Sequence, residues 1–340
     1  MSKKTYMQAI NEAIRQEMER DSTVILIGED LAGGHGGTGE VGGVGGPFGQ
    51  LRGIYKQFGP NRMIDTPISE SAIMGVAAGA ALTGLRPVAE LMFVDFVGVC
   101  FDQIYNQIAK FRYMFGGHAR TPLVIRATVG AGMRAAAQHS QTLHPLFTMV
   151  PGLKVVMPSN PYDAKGLLIQ AIRDNDPVIY LESKSLFGME GEVPDEPYRI
   201  PFGEANILRE GKDLTIVALG AMVTQAEKAV ANLARGGLSV EVLDPRTTSP
   251  LDEDSILESV EKTGRLVVVD ESPPRCSLAA DIAGLVADKG FKSLKGPIKQ
   301  VTCPHTPVPF APTLEDAYLP SPARIERAAR SLFDRAREQA

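Results

Sequence analysis

Ala72-Ile-Met-Gly75-Val-Ala-Ala-Gly79-Ala-Ala-Leu82-Thr-Gly-Leu-Arg86-Pro87-Val-Ala-Glu90-Leu-Met92 opens with the longest apolar run of the chain, Ala72 to Leu85, set between Glu70 and Arg86. A bilayer crossing takes about 20 apolar residues, so this run is too short to span and predicts a buried core helix over Ala72–Leu82. Pro87–Met92, directly after it, reads as a near-continuous apolar strand. A buried helix feeding a buried strand is the unit of a parallel sheet covered on both faces.

The same alternation extends in both directions. Upstream, Ile10, Ala13, Ile14 and Met18 recur at helical spacing after Thr5, and Val24–Gly28 reads as a strand. Downstream come helix Val97–Tyr113, strands Leu123–Ala127 and Leu153–Met157, helix Ala164–Arg173 and strand Val178–Glu182. A stretch rich in Gly, Pro and acids, Ser185–Lys212, then interrupts the pattern. Beyond it a second alternation runs from strand Leu214–Leu219 to strand Ile298–Thr302 and closes with a basic helix around Ile325–Arg335. The expected fold is α/β, two doubly wound, mostly parallel-sheet domains, with residues 1–188 and 213–340 as domains and 189–212 as linker. The length of 340 residues agrees with two domains at about 150 residues each.

Forty acidic against 35 basic residues give a net charge of −5, which argues against a nucleic-acid-binding chain. Cys100, Cys276 and Cys303 are widely spaced and form no CxxC, as expected of a reduced, cytoplasmic protein rather than a disulfide-stapled one. The first residues lack the apolar core of a signal peptide, and no membrane segment is readable. Gly34-His35-Gly36-Gly37-Thr38-Gly39 matches GxGxxG, but the glycines continue to Gly53 with no helical periodicity to follow. The helix N-terminus that would hold a pyrophosphate is missing, so the stretch reads as a long loop. His139 and His144, five apart, do not stack on one helix face and make no metal pair.

Three stretches carry the chemistry: Asp65-Thr-Pro-Ile68-Ser-Glu70, Glu90-Leu-Met92-Phe-Val-Asp-Phe96, and Ala137-Gln-His139-Ser-Gln141 followed by Pro151-Gly-Leu-Lys-Val-Val156. By themselves, Glu70 reads as an acid favoured at a helix start and Met92 and Phe96 as core, while His139 on a polar segment is a functional candidate. Together with Pro161–Gly166 and Ala171–Pro177, these motifs resemble the beta subunit of the thiamine-diphosphate-dependent decarboxylase component of 2-oxoacid and acetoin dehydrogenase complexes, over essentially the whole chain.

The resemblance implies a transketolase-like pair of domains, a pyrimidine-binding domain and a transketolase C-terminal domain. It implies that Glu70 exchanges a proton with the aminopyrimidine of thiamine diphosphate, and that Ile68, Met92 and Phe96 contact the cofactor. His139 would line the substrate channel and assist transfer to lipoyl groups. Carbonyls of Leu123, Ala171, Ile172, Asp174 and Asp176 would hold a structural potassium ion. One departure is Met149, where many relatives carry a second His. The chain has no Gly-Asp-Gly, the motif that anchors the diphosphate through magnesium. The resemblance therefore implies an alpha subunit that supplies the magnesium site, in a heterotetramer of two alpha and two beta chains serving a lipoyl-bearing dihydrolipoyl acyltransferase. The wording of Glu90–Phe96, Lys110–Gly117 and Val129–Gln138 is most like acetoin dehydrogenases. Pyruvate or another 2-oxoacid as the small-molecule substrate, a self-sufficient transketolase-like enzyme, and a non-catalytic scaffold docking to the acyltransferase core stay open as alternatives.

Overall fold

The computed structural model describes residues 1–32 and 45–334. The GxGxxG match at Gly34–Gly39 and most of the glycine-rich stretch lie outside the described residues. Two compact units form: Met1–Val129 with Leu146–Phe202, and Gly130–Pro145 with Gly203–Ala340. The short segment Gly130–Pro145, which carries His139, thus belongs to the second unit, although it lies within the stretch expected to form the first domain.

In the first unit, strands Met63–Thr66, Val24–Glu29, Arg86–Phe93, Val124–Val129, Val178–Ser183 and Lys154–Val156 lie side by side in that order, each neighbouring pair parallel. Their continuous apolar sequence follows from burial on both faces. The helix expected after Thr5 runs over Tyr6–Arg20 and is closed by a capping box in which the Thr5 hydroxyl accepts the Gln8 N–H and the Gln8 side chain accepts the Thr5 N–H.

Strand Met63–Thr66 is not anticipated by the sequence reading, and two further features differ from it. The single helix expected over Val97–Tyr113 is an α-helix over Val97–Asp102, a π-helical turn over Gln103–Ile108 and a short helix Phe111–Met114. The Ala109 N–H reaches back five residues to the Ile104 carbonyl, which widens the helix there. Within the stretch expected as linker, Glu190–Val193 forms an antiparallel pair with Ser2–Thr5 and Asn206–Arg209 pairs antiparallel with Val240–Asp244.

The second unit has strands in the order Lys299–Thr302, Leu266–Asp270, Leu214–Ala218, Val240–Asp244 and Asn206–Arg209, parallel except for the last. Its core joins Val217, Leu243 and Val268 of the sheet to Ile256, Val260 and Ile282 of the covering helices. Among the described residues no helix is long and apolar enough to cross a membrane.

Candidate active site

In the first sheet the chain changes direction between Val24–Glu29 and Arg86–Phe93. From Met63–Thr66 on one side, helix Glu70–Leu82 carries it past Val24–Glu29 to Arg86–Phe93 on the other. Ligands of open parallel sheets bind outside the carboxyl ends of the strands at such a reversal. Glu29 ends one of these two strands, Met92 lies at the end of the other, and Glu70 starts the helix between them.

Glu70 is only 9% exposed although it sits in the first turn of its helix. The helix N-terminus offers partial positive charge that suits a carboxylate. Partial burial, with Asp30, Glu70 and Asp65 as like-charged neighbours, raises the Glu29 carboxyl above its ordinary range. The Cys100 thiol is pushed up to about 12 by burial and then by the charge of Glu70. Cys100 lies one turn beyond Phe96, with its sulfur against the Phe96 and Val97 carbonyls. The Ser71 hydroxyl donates to the Val99 carbonyl at 2.6 Å, fastening the start of the Glu70 helix to that same segment. Asp65 accepts the Leu31 and Ala32 N–H groups at 2.8 and 3.3 Å, which ties the chain leaving Glu29 to the neighbouring strand.

Met92 falls on a break in strand register. Leu91 pairs with Ala127 and Phe93 with Thr128, so Met92 is an extra residue between two pairs. Such bulges re-aim a side chain. The Thr128 hydroxyl donates to the Met92 carbonyl at 2.5 Å and fixes the bulge. The Phe93 and Phe96 rings meet edge to face with centroids 5.9 Å apart, and Phe48 meets Phe93 in the same way at 5.8 Å. Met92 and Phe96 are half-buried, and Ile68 is 74% exposed. Sequence reasoning anticipated Glu70, Ile68, Met92 and Phe96 as one group, and the structure sets all four around the same strand ends of the first unit.

His139 lies in the irregular segment between strand Val124–Val129 and helix His144–Thr148, and it is half-buried. His144 is fully buried and its Nε2 lies 3.3 Å from Asp270 Oδ2. Burial raises the Asp270 carboxyl, but His144 and the Ser272 donors outweigh it and bring it below its usual range.

The chain matches two family models, "Transketolase, pyrimidine binding domain" over residues 2–189 and "Transketolase, C-terminal domain" over residues 203–325. The chain is 64% identical to the acetoin:2,6-dichlorophenolindophenol oxidoreductase subunit beta of Cupriavidus necator, covering 95% of both chains. The Bacillus subtilis protein of the same description is 59% identical over 93% of each chain, and its pyruvate dehydrogenase E1 component subunit beta is 43% identical over 98% of this chain and 100% of its own. The chain belongs to the beta-subunit family of acetoin and 2-oxoacid dehydrogenases. A solved chain described as "Split gene transketolase, inactive beta4 tetramer" has the same fold, with a TM-score of 0.77 at 24% identity, covering 96% of this chain and 97% of that one.

As a beta subunit of this family, the chain is one part of a thiamine-diphosphate-dependent enzyme and has an alpha partner. Its own residues fit the pyrimidine end of that cofactor: a shielded carboxylate, a thioether on a bulge and an aromatic edge stand together. They do not fit the diphosphate end, because Glu29, Asp65 and Glu70 make the strand ends acidic. Among the described residues, no group of three or more His, Cys, Asp and Glu side chains is placed to hold a metal.

The five carbonyls expected to hold potassium surround the turn after helix Pro161–Arg173. Ile172 and Asp174 each give their carbonyl oxygen to Arg86 Nη1, at 3.1 and 2.7 Å. The Ala171 carbonyl accepts the Asp174 N–H at 3.2 Å and the Leu123 carbonyl the Val178 N–H at 2.9 Å. An all-oxygen set suits a hard cation, and the Arg86 guanidinium already stands on two of the five oxygens.

Sequence reasoning gave no role to Glu29, Cys100, Glu271 or Glu315, nor to Asp65, although Asp65 opens one of the three quoted stretches. The only sequence signal for Glu29 was an acid closing an apolar strand.

Proposed function

We propose that this chain is the beta subunit of a thiamine-diphosphate-dependent acetoin dehydrogenase, working in a heterotetramer of two alpha and two beta chains. The observation that carries the reading is the excess identity to the two acetoin oxidoreductase subunits over the 2-oxoacid subunits, across nearly the whole chain. The bond between the two oxygenated carbons of acetoin breaks and acetaldehyde leaves. The remaining acetyl unit passes to the oxidised disulfide of a lipoyl group on a dihydrolipoyl acyltransferase, which is reduced as it is acylated. Thiamine diphosphate, when bound, supplies the electron sink for breaking that bond.

The residues of this chain do the rest of their share. Glu70 holds and exchanges a proton at the aminopyrimidine, a task for which its 9% exposure matters, because the carboxylate is shielded from bulk water. Met92 and Phe96 would pack against the pyrimidine ring, and Ile68 would contact the cofactor as well. His139 orients the reacting unit in the channel and assists its passage to the lipoyl group. The magnesium and the diphosphate belong to the alpha subunit, in keeping with the acidic strand ends and the missing Gly-Asp-Gly. Met149 stands where many relatives carry a second His, so no role of that residue is invoked. Carbonyls of Leu123, Ala171, Ile172, Asp174 and Asp176 hold a structural potassium ion.

Acetoin is neutral, and a site built for it has no reason to pair a carboxylate; burying the charge of pyruvate there without a partner is costly. Turnover efficiency of the complex with its native alpha subunit is therefore expected to favour acetoin over pyruvate by about a hundredfold or more, the discrimination a mismatched polar group produces. A ratio favouring pyruvate moves the assignment to a pyruvate dehydrogenase component.

A further inference from the structure

The segment that carries His139 does not hold its own shape. Gly130 and Gly132 take φ of 94° and 98°, which glycine adopts freely, but Arg134 and Ala136 also sit at 58° and 61°. For residues with a Cβ this left-handed backbone is unfavourable, so the surroundings must impose it. Packing supplies only part of this, because a cavity of about 300 Å³ borders the far half of the segment at Ala137, Gln141 and Thr142, facing His305 and Tyr318.

Two buried carboxylates hold the near half of the segment, up to Arg134. Glu271, just after strand Leu266–Asp270, is 7% exposed and accepts the Ala131 N–H at 2.6 Å. A Cβ on Gly130 would lie 3.0 Å from its Oε1, so the carboxylate lies close enough to leave no room for a side chain there. Glu315, in helix Pro312–Tyr318, is fully buried; its Oε1 accepts the Gly132 N–H at 2.9 Å and its Oε2 the Arg134 N–H at 3.2 Å. It also pairs with the Arg134 guanidinium, whose Nη2 donates to Asp316 at 2.7 Å. The Gly130 N–H donates to the Gln141 carbonyl at 3.0 Å, closing the two ends of the segment on each other. Hydrogen bonds from backbone N–H groups to a buried carboxylate are the strong, charge-assisted kind.

We propose that Glu271 and Glu315 are positioning residues for His139: they clamp backbone 131–134 in a strained form and so set where the imidazole stands. The proposal rests on the reading of His139 as the channel residue for lipoyl transfer. The Glu271→Gln and Glu315→Gln variants keep the side-chain shape and remove the charge. In the assembled enzyme, three quantities are measured: amide hydrogen exchange over residues 131–134, dye reduction, and acetylation of a lipoyl domain. Exchange is expected to accelerate about tenfold or more, and the ratio of lipoyl acetylation to dye reduction to fall about as much, as for loss of one charge-assisted hydrogen bond. In a His139→Ala background the ratio should show no further fall, because both changes then act through one side chain. Unchanged exchange, a fall that adds to that of His139→Ala, or equal losses in both assays would overturn the proposal. A wild-type ratio in His139→Ala alone overturns the role of His139 instead, and the clamp is then decided by exchange in the two Gln variants.

Discussion

Glu70 gathers its surroundings from three places in the chain: Glu29 and Asp65 from two strand ends and Cys100 from the helix after Phe96. Within that cluster, partial burial and like-charged neighbours raise the Glu29 carboxyl above its ordinary range. Replacing Glu70 by Gln keeps the size and some hydrogen bonding and removes proton exchange. Turnover of the assembled enzyme is expected to drop by about a hundredfold or more, the low end for losing acid–base help, with assembly intact. Hydrogen–deuterium exchange at the cofactor's thiazolium reads the step directly, and a wild-type rate there would reduce Glu70 to a helix-start acid. At this scale the sequence was legible only where a motif is local. Glu70, Met92, Phe96 and His139 stand in short, continuous wording, whereas the bond between Glu315 and Gly132 joins residues 183 apart, which no spacing rule reaches.

Elements were easier to read than their irregularities. Helix Tyr6–Arg20 was legible because periodicity and the Thr5 cap agree. The π-helical turn at Gln103–Ile108 was not, since its wider hydrogen bond leaves the apolar spacing nearly helical, and neither was the bulge at Met92. The half-exposed pair Ser2–Thr5 and Glu190–Val193 carries too few buried side chains to show a strand pattern.

Three central strands also share a buried ion network. Arg126 donates from Nε to Glu182 at 2.7 Å and from Nη1 to Glu90 at 2.9 Å, all three residues being buried. Burial raises the Glu90 carboxyl to about 7, with Arg126 pulling it down and Glu182 adding to the rise. In the unfolded chain a glutamate titrates near about 4.3, so its contribution to stability is complete below that pH and is lost as pH climbs through about 7. A Glu90→Gln variant cannot lose a proton. The melting temperature of the variant relative to the wild type should therefore rise between pH 5 and 8, by an amount equivalent to on the order of 2 kcal/mol; parallel profiles would contradict this. The turn after helix Pro161–Arg173 offers a second check. If the carbonyls of that turn hold potassium, the melting temperature should be higher in potassium than in lithium at equal ionic strength, because the smaller ion draws too few oxygens around it. Identical melts in the two salts would leave Arg86 as the cation of that turn.

On the scale of the whole molecule, the reversal in the parallel sheet puts Glu70, the carboxylate proposed to serve the cofactor, beside the strand ends that carry Glu29 and Asp65, and the charge there decides what the chain can hold alone. Thiamine diphosphate joins a nearly neutral pyrimidine to a strongly anionic diphosphate. The strand ends offer Glu29, Asp65 and Glu70 to the first and repel the second. Around the first turns of the Glu70 helix, Ile68, Val76 and Val99 are 74, 58 and 60% exposed, apolar surface suited to a second chain. Calorimetric titration of the isolated chain with thiamine diphosphate and magnesium should therefore give binding weaker by about a hundredfold or more than in the alpha–beta assembly, since an uncompensated diphosphate next to carboxylates forfeits at least about 3 kcal/mol. Adding the alpha subunit should restore both binding and activity together. Tight, magnesium-dependent binding by the beta chain alone would place the diphosphate site on this chain and remove the physical basis for dividing the cofactor between two subunits.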